Sequence, residues 1–311
     1  MRIVYFGTPE FAVPSLEALL AAGHEIALVV SRPDQPSGRH MRLTAPPVVD
    51  LARERGLALV QPEKLGVDDF VARLRALRCE IAVVVAFGRL ISPRVLAIPP
   101  RGFVNVHPSL LPRHRGPSPI EGAILAGDDE TGVTTMLLDA GMDTGPVLLQ
   151  RRAAIGARER TPQLAERLAA MGAELLVETI AGLEAGTVGP HPQNNALATV
   201  TEKLDRRLGR IDWSLDATTL ARRCRAFDPW PGLYCTFRGA RLKVHGIEIG
   251  EPGPGDEPPG TVLGISGAGI AVRCGEGTVA TLTELQREGR RRLPADAFIL
   301  GERVAPSEHF R

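Results

Sequence analysis

The segment Ile81–Ala86 consists of apolar residues only, and three of them are valine. A strand of this kind is buried on both faces, as in the middle of a parallel sheet that helices cover on both sides. Strand-like and helix-like segments alternate through the first half of the chain, the pattern of right-handed strand–helix–strand crossovers. We therefore predict an α/β fold with an open parallel sheet, in which ligands bind at the carboxyl ends of the strands. The predicted strands are Ile3–Phe6, Glu25–Val30, Ala58–Val60, Ile81–Ala86, Phe103–His107 and Val133–Leu138.

The second half of the chain has a different pattern. Gly186 to Asn195 is rich in glycine, proline and asparagine, which predicts a linker over the surface. Beyond it, about five short strands separated by glycine turns predict a small antiparallel barrel. The 311 residues are thus predicted to form a first domain over 1–189, a linker over 190–205 and a barrel over 206–311.

The charge balance and the cysteines limit the classes of protein to consider. Lys and Arg number 37 against 36 Asp and Glu, so no whole-protein field draws the chain to nucleic acid or to a membrane. No stretch approaches the ~20 apolar residues of a membrane span, and residues 1–7 do not look like a signal peptide. The four cysteines contain no Cys-x-x-Cys pair, which disfavours a zinc ribbon or a redox dithiol. We expect free thiols, no metal and a cytoplasmic location.

Asn105 and His107 are the first candidates for chemistry. They lie two residues apart in a predicted strand, so their side chains point to the same face, and they stand at the strand's end. An amide donor beside an imidazole suits an oxyanion that develops when a nucleophile attacks a carbonyl. The alternative is that Asn105 caps a turn and His107 is a structural histidine.

The loop Asp139–Gly145 follows a predicted strand and contains two glycines, which allow a sharp bend close to a ligand. Asp143 in this loop could orient His107 and favour its imidazolium form. The alternative is a tight turn in which both aspartates make only local hydrogen bonds.

Several motifs together resemble those of the methionyl-tRNA formyltransferase family, within the wider superfamily of 10-formyltetrahydrofolate-dependent transferases. The Asn-x-His motif followed by Ser-Leu-Leu-Pro is specific for the superfamily, and Asp-Pro-Trp-Pro with the trailing barrel narrows the resemblance to the tRNA enzymes. The resemblance covers essentially the whole chain. The matching segments are Gly7–Phe11, Ala86–Gly88, Asn105–Pro112, Arg115–Gly116, Met142–Gly145, Ile211–Trp213 and Arg225–Pro231.

The resemblance implies a Rossmann-like open sheet followed by a smaller C-terminal barrel of the oligonucleotide-binding (OB-like) type. It implies transfer of the formyl group of 10-formyltetrahydrofolate to the α-amine of methionine on initiator tRNA, by a monomer without a metal. The implied catalytic trio is Asn105, His107 and Asp143. The implied folate contacts are Ser109, Leu110, Leu111, Pro112, Leu90, Ile91 and Asp139, and the implied tRNA contacts are Arg39 and Arg42 in the loop after the second strand.

Two other functions are compatible with the same motifs. A formyltransferase acting on the amine of a nucleotide-linked sugar would use the same trio with a different acceptor. An RNA-binding adaptor without activity would use the barrel alone, but it would have no need of Asn105, His107 and Asp143. The Arg39–Arg42 loop and two basic clusters of the barrel favour the tRNA enzyme. The clusters are Arg222, Arg223 and Arg225, and Arg290, Arg291 and Arg292.

Overall fold

The computed structural model describes residues 1–37, 42–251 and 255–311. The chain divides into two compact units. Residues 190–202, most of the predicted linker, belong to the first unit, which therefore continues past residue 189. The assignment of one function to each domain stays a prediction. Unit 1 comprises Met1–Ile120, Asp129–Ile155 and Leu164–Glu202, and unit 2 comprises Glu121–Asp128, Gly156–Gln163 and Lys203–Arg311.

Unit 1 contains a seven-stranded sheet in the order β5-β2-β1-β6-β7-β8-β9. The first five strands in this order are parallel, which confirms the predicted open α/β sheet. The last two strands run antiparallel to their neighbours, and β9 was not predicted. The strands are β1 (Arg2–Gly7), β2 (Glu25–Val30), β5 (Leu59–Val60), β6 (Ile81–Val85), β7 (Phe103–His107), β8 (Glu130–Leu137) and β9 (Val147–Ala154), and a separate hairpin has β3 (Gln35–Ser37) and β4 (Arg42–Thr44).

Helices supply the apolar surfaces that cover this sheet. Phe70 of α3 and Val95 of α4 belong to the buried cluster that includes Phe6 and Phe103. On the other face, Gly172 of α6 lies so close to Val106 that an added Cβ would be 2.9 Å from the valine Cγ1. The helices in this part of the chain are α1 (Val13–Ala21), α2 (Pro47–Glu54), α3 (Asp68–Ala76), α4 (Pro93–Leu96), α5 (Pro119–Ala126) and α6 (Thr161–Ala185).

Unit 2 contains the predicted antiparallel sheet, in the order β10-β11-β14-β13-β12, with β15 added beside β14. The C-terminal residues join the two ends of this sheet. Phe310 pairs with Phe237 of β10, and His309 pairs with Thr261 next to β12, so the sheet closes into a barrel. The elements are α7 (Ala217–Ala226), β10 (Leu233–Phe237), β11 (Ala240–Ile249), β12 (Val262–Ser266), β13 (Gly269–Arg273), β14 (Val279–Arg287), β15 (Leu293–Pro294) and α8 (Ala295–Glu302).

Aromatic rings fill the barrel. The ring of Phe310 is fully buried and lies 4.7 Å from that of Phe237 and 6.0 Å from that of Trp213, measured between centroids. Such spacing is typical of favourable aromatic pairs. Across the described residues of both units, no helix combines the length and the apolarity that a membrane span requires.

We predict that the thiols of the folded protein react very slowly with Ellman's reagent. Burial raises the pKa of all four, to about 11 for Cys224, about 12 for Cys235 and about 11 for Cys274, and in the same direction for Cys79. Only the thiolate is nucleophilic, so at pH 8 almost none reacts. Absorbance at 412 nm should reveal four thiols after addition of guanidinium chloride. A thiol that reacts within seconds in the native protein would contradict this prediction.

Candidate active site

Strand β7 places Asn105 and His107 on the same face, as the alternation of a strand requires. Asn105 is paired in register with Val84, which in turn is paired with Phe6 of the buried cluster, so the two polar side chains continue an apolar row. The residue between them, Val106, points to the opposite face and packs against α6. Both polar residues are buried, with 9 % of Asn105 and 4 % of His107 exposed.

The imidazole of His107 has a polar neighbour at each nitrogen. Nε2 lies 2.9 Å from the backbone oxygen of His114. A carbonyl only accepts, so Nε2 carries the proton in the neutral ring, and the lone pair is on Nδ1. Nδ1 lies 3.8 Å from Oδ2 of Asp143, which is too long for a direct hydrogen bond but close enough for strong electrostatic attraction to an imidazolium. The tautomer therefore directs the proton-accepting atom toward the carboxylate.

The pKa of His107 is lowered from its ordinary value, and burial of the ring is the main cause. Asp143 and the bond to His114 both raise the pKa, and the nearby His114 ring lowers it slightly further. Asp143 thus acts in the predicted direction, but the desolvation of a buried cation outweighs it. The neutral imidazole is therefore favoured at pH 7. The sequence-based prediction that Asp143 would make the imidazolium the preferred form is wrong for the free site.

The loop between β8 and β9 brings Asp143 to His107. Asp143 has a left-handed backbone with φ of +54°, a conformation that costs a residue other than glycine about 1 kcal/mol or more. Its Oδ2 accepts a hydrogen bond of 2.7 Å from the backbone N–H of Gly116. Asp139, in contrast, accepts local bonds from Gly141 and Thr144. Asp139 thus makes only the local hydrogen bonds of a tight turn. Asp143 instead binds Gly116, in the loop whose His114 carbonyl contacts His107.

The side-chain amide of Asn105 makes no hydrogen bond to any of the described residues. Its polar atoms are not among the fully buried, unpartnered side-chain atoms of the described residues, so the amide keeps some access to solvent and can meet a ligand. The amide stands at the carboxyl end of β7 beside His107, where a ligand oxygen would satisfy it.

The segment Ser109–Pro112, predicted to contact folate, forms a turn directly after β7 that hydrogen bonds hold in place. The hydroxyl of Ser109 donates to the backbone oxygen of Arg113 at 2.6 Å. The Thr134 hydroxyl accepts from the Leu111 N–H and donates to the Ser109 oxygen. Ser109 and Leu111 are buried, whereas Leu110 and Pro112 are partly exposed.

The other predicted folate residues flank the buried cluster. Ile91 packs against it, and so does Leu138, the residue before Asp139, so the two loops approach the same face of the sheet. Leu90 is 88 % exposed and Met142 is 55 % exposed, both unusually high for large apolar side chains. The folate roles of Leu90, Ile91 and Asp139 stay predictions.

The two predicted tRNA contacts follow β2 in the sequence. Arg39 falls outside the described residues, and Arg42 begins strand β4. Their roles therefore stay predictions.

Sequence reasoning missed several groups that complete the site. The His114 carbonyl and the Gly116 N–H hold His107 and Asp143, and Gln193 donates to the loop that carries Asp143. Arg115–Gly116 is one of the segments that match the family's motifs, so the sequence did indicate that this loop is important. Gln193 gave no signal, because its glycine-, proline- and asparagine-rich surroundings predict a linker. None of the described residues form a group of three or more metal-ligating side chains.

Comparison with known proteins identifies the family to which this site belongs. Residues 1–180 match the family described as "Formyl transferase", and residues 203–303 match "Formyl transferase, C-terminal domain". The chain belongs to the formyl transferase family. The methionyl-tRNA formyltransferase of Chloroflexus aurantiacus is 46 % identical to this formyltransferase over 301 residues, which cover 97 % of each chain. That of Acidobacterium capsulatum is 44 % identical, with 98 % of each chain covered.

Solved structures share the fold of this formyltransferase. HypX from Aquifex aeolicus in complex with tetrahydrofolic acid has a TM-score of 0.62 and 20 % identity, covering 96 % of this chain and 47 % of its own. The sugar 3N-formyl transferase WlaRD has a TM-score of 0.65 and 16 % identity, covering 94 % and 99 %. At these identities the comparison supports the fold alone.

Proposed function

We propose that this formyltransferase moves the formyl group of 10-formyltetrahydrofolate to the α-amine of methionine on initiator tRNA. The observation that carries the chemistry is the His107 imidazole between the His114 carbonyl and the Asp143 carboxylate, beside the buried amide of Asn105. The relatives that match nearly the full chain are methionyl-tRNA formyltransferases, which supports the acceptor.

The surroundings of the site fit a folate. The exposed apolar side chains of Leu90 and Met142 offer surface that a flat aromatic ring would cover, and Asp139 adds a carboxylate for ring N–H donors. The turn Ser109–Pro112 follows the catalytic strand directly, which suits contact with the part of the donor near the formyl group. When bound, this co-substrate supplies the activated formyl group.

The chain's own groups then have distinct tasks. The Asn105 amide donates to the oxygen that becomes negative as the amine attacks, and it has no other protein partner to leave among the described residues. Its burial strengthens this interaction, since few water molecules compete for the oxygen. Positioning and electrostatics are the protein's main contributions to such a transfer.

His107 is suited to carry a proton during the reaction. Its tautomer leaves the Nδ1 lone pair available, so this atom can take a proton that the attacking amine loses, directly or through water. The resulting imidazolium is stabilised by Asp143 at 3.8 Å and by the His114 carbonyl. The same proton can then be returned to the leaving nitrogen.

The outward face of β10 and β11 is a suitable surface for RNA. The Arg241 guanidinium stacks 3.8 Å above the ring of Tyr234, and Lys243 is the cross-strand neighbour of that tyrosine. Arg241 and Lys243 are exposed, and neither has a carboxylate within salt-bridge distance in the part of the chain that the structure describes. Cations without an acidic partner are free to meet phosphates, and an aromatic ring can stack on a base.

We expect the double substitution Arg241→Ala with Lys243→Ala to weaken tRNA binding and to reduce its salt dependence. Each lost phosphate contact lowers the slope of log K against log salt by about 0.7 to 0.9. Fluorescence titration of Met-tRNA at several salt concentrations measures the slope. Arg207→Ala is the matched control, because Arg207 is exposed but already pairs with Asp205 at 2.8 Å. A slope unchanged by the double substitution would exclude this face.

One assay tests the proposed function against its alternatives. Radiolabelled 10-formyltetrahydrofolate is offered with Met-tRNA, with unacylated tRNA and with a nucleotide-linked amino sugar. We expect label on Met-tRNA only. Label on the sugar would favour the sugar formyltransferase, a class whose solved structures share this fold with TM-scores of 0.64 and 0.65. Absence of transfer to every acceptor would favour the adaptor.

The proposed enzyme works as a monomer in the cytoplasm. The site residues Asn105, His107 and Asp143 all lie in unit 1. The four free cysteines are compatible with a reducing compartment, where aminoacylated tRNA is made.

A further inference from the structure

We propose that Gln193 is a positioning residue that holds the Asp143 loop in its reactive conformation, a role that rests on the proposed function. Gln193 lies in the segment 190–202, outside every motif that the sequence offers. Its side-chain Nε2 donates to two backbone oxygens of the loop, that of Asp143 at 2.8 Å and that of Gly145 at 2.7 Å. Both amide hydrogens are therefore used by the loop that carries the catalytic carboxylate.

Arg115 fixes the orientation of this amide. Its Nε and Nη2 donate to Oε1 of Gln193 at 3.0 and 2.7 Å, and Nη2 also donates to the side-chain oxygen of Asn195 at 2.8 Å. A guanidinium only donates, so the amide oxygen must face Arg115 and the amide nitrogen must face the loop. Arg115 is 7 % exposed, and bonds from a buried cation are stronger than those between neutral groups.

The loop needs such a holder because its conformation is unfavourable by itself. Asp143 is left-handed, and the side-chain bond from Gly116 restrains only the carboxylate. Gln193 restrains the backbone itself, at the carbonyl oxygens of residues 143 and 145. Together the two restraints determine where Oδ2 lies relative to Nδ1 of His107, now 3.8 Å away.

Other residues of the segment 190–202 bind the loop that contains His114 and Arg115. The backbone N–H of Arg115 donates to Thr199, and that of Thr201 donates to Arg115, at 2.9 and 2.7 Å. His191 pairs with Val147 after the Asp143 loop. One segment thus contacts both the loop that holds Nε2 of His107 and the loop that faces its Nδ1, and Gln193 is the side chain that joins them through Arg115.

The substitution Gln193→Glu distinguishes two roles of this side chain: positioning the Asp143 loop, and attaching the segment 190–202 to Arg115. The carboxylate keeps an acceptor for Arg115, and makes it an ion pair, but it cannot donate to the two loop carbonyls. If Gln193 positions Asp143, kcat for formylation of Met-tRNA should fall about 10- to 100-fold, the cost of a small misplacement of a reacting group, with KM for Met-tRNA within threefold. If Gln193 only fastens the segment to Arg115, kcat should stay within threefold of the unmodified enzyme, which would overturn the proposal.

Gln193→Leu gives a readout that needs no substrate. NMR of the His107 ring protons follows its titration, in which the neighbouring ionisable groups are Asp143 and His114. Asp143 raises the pKa of His107, so a displaced loop should lower that pKa further. Asn194→Ala, which removes only a local bond to the Ala196 N–H, is the control and should change neither kcat nor the titration. An unchanged His107 titration in Gln193→Leu would overturn the proposal. Failure of the unmodified protein to formylate Met-tRNA would refute the proposed function, and the titration would still decide the role of Gln193.

Discussion

Replacing His107 by alanine should lower the turnover of formyl transfer by about a hundredfold or more, and Asn105→Ala should do the same. The two losses have different causes. Without Asn105 the developing oxyanion loses its buried donor, and without His107 the proton that leaves the amine has no acceptor beside Asp143. Binding of Met-tRNA should change much less, because neither side chain is an exposed cation.

Single-turnover kinetics with labelled formyl donor measure this effect directly. His191→Ala is the control, since this histidine lies in the same unit and its side chain is exposed. Rates of His107→Ala or Asn105→Ala within threefold of the unmodified enzyme would contradict the assigned roles. The pH profile distinguishes them further. Burial lowers the pKa of His107 below 6.5, so the neutral, proton-accepting form persists at pH 7 and is lost only as the pH falls through that lowered pKa. Asn105→Ala should keep this acid limb, and His107→Gln should lack it.

Gly145→Ala should impair both stability and turnover although the added group is a single methyl. A Cβ at this position would lie 1.8 Å from the backbone oxygen of Leu137 and 3.3 Å from the backbone nitrogen of Asp139. Backbone atoms cannot rotate away, so the loop itself must move, and Asp143 moves with it. We expect the free energy of unfolding to fall by about 2–3 kcal/mol and turnover to fall by about a hundredfold.

Gly189→Ala is the matched control for this substitution. Nothing lies within 4 Å of a Cβ at Gly189, and its backbone is not left-handed. Its unfolding free energy should change by less than about 1 kcal/mol, with a small gain from the stiffer unfolded chain. Urea denaturation and formylation assays on both variants provide the comparison. Equal behaviour of the two variants would mean that the Asp143 loop tolerates displacement.

The sequence was sufficient to predict the positions of Asn105 and His107, because period-two alternation and the end of a buried strand are local features. It was also sufficient for the five parallel strands, because apolar runs such as Ile81–Val85 alternate along the chain with helix-like segments. It could not predict that β8 and β9 run antiparallel, because side-chain alternation is the same in both directions. The lowered pKa of His107 arises from burial, which depends on the packing of the whole sheet.

Gln193 illustrates a different limit. Its partners Asp143 and Gly145 are 50 and 48 residues away, and its composition context is that of a linker. Its proposed role depends on hydrogen bonds to two backbone oxygens and to one arginine. Every residue has a backbone oxygen, so a sequence does not indicate which ones will be bound. Only the folded arrangement identifies such a residue.

The inclusion of residues 190–202 in the first unit bears on how enzymes of this kind can exchange parts. A chimaera that joins this catalytic unit to a foreign C-terminal barrel would, by sequence composition, be cut at residue 189. Such a junction would replace Gln193, Thr199 and Thr201 by residues never matched to the loops they touch. A junction after Glu202 keeps the catalytic loops with their own partners. Recombination between relatives is therefore expected to preserve this short segment with the N-terminal half.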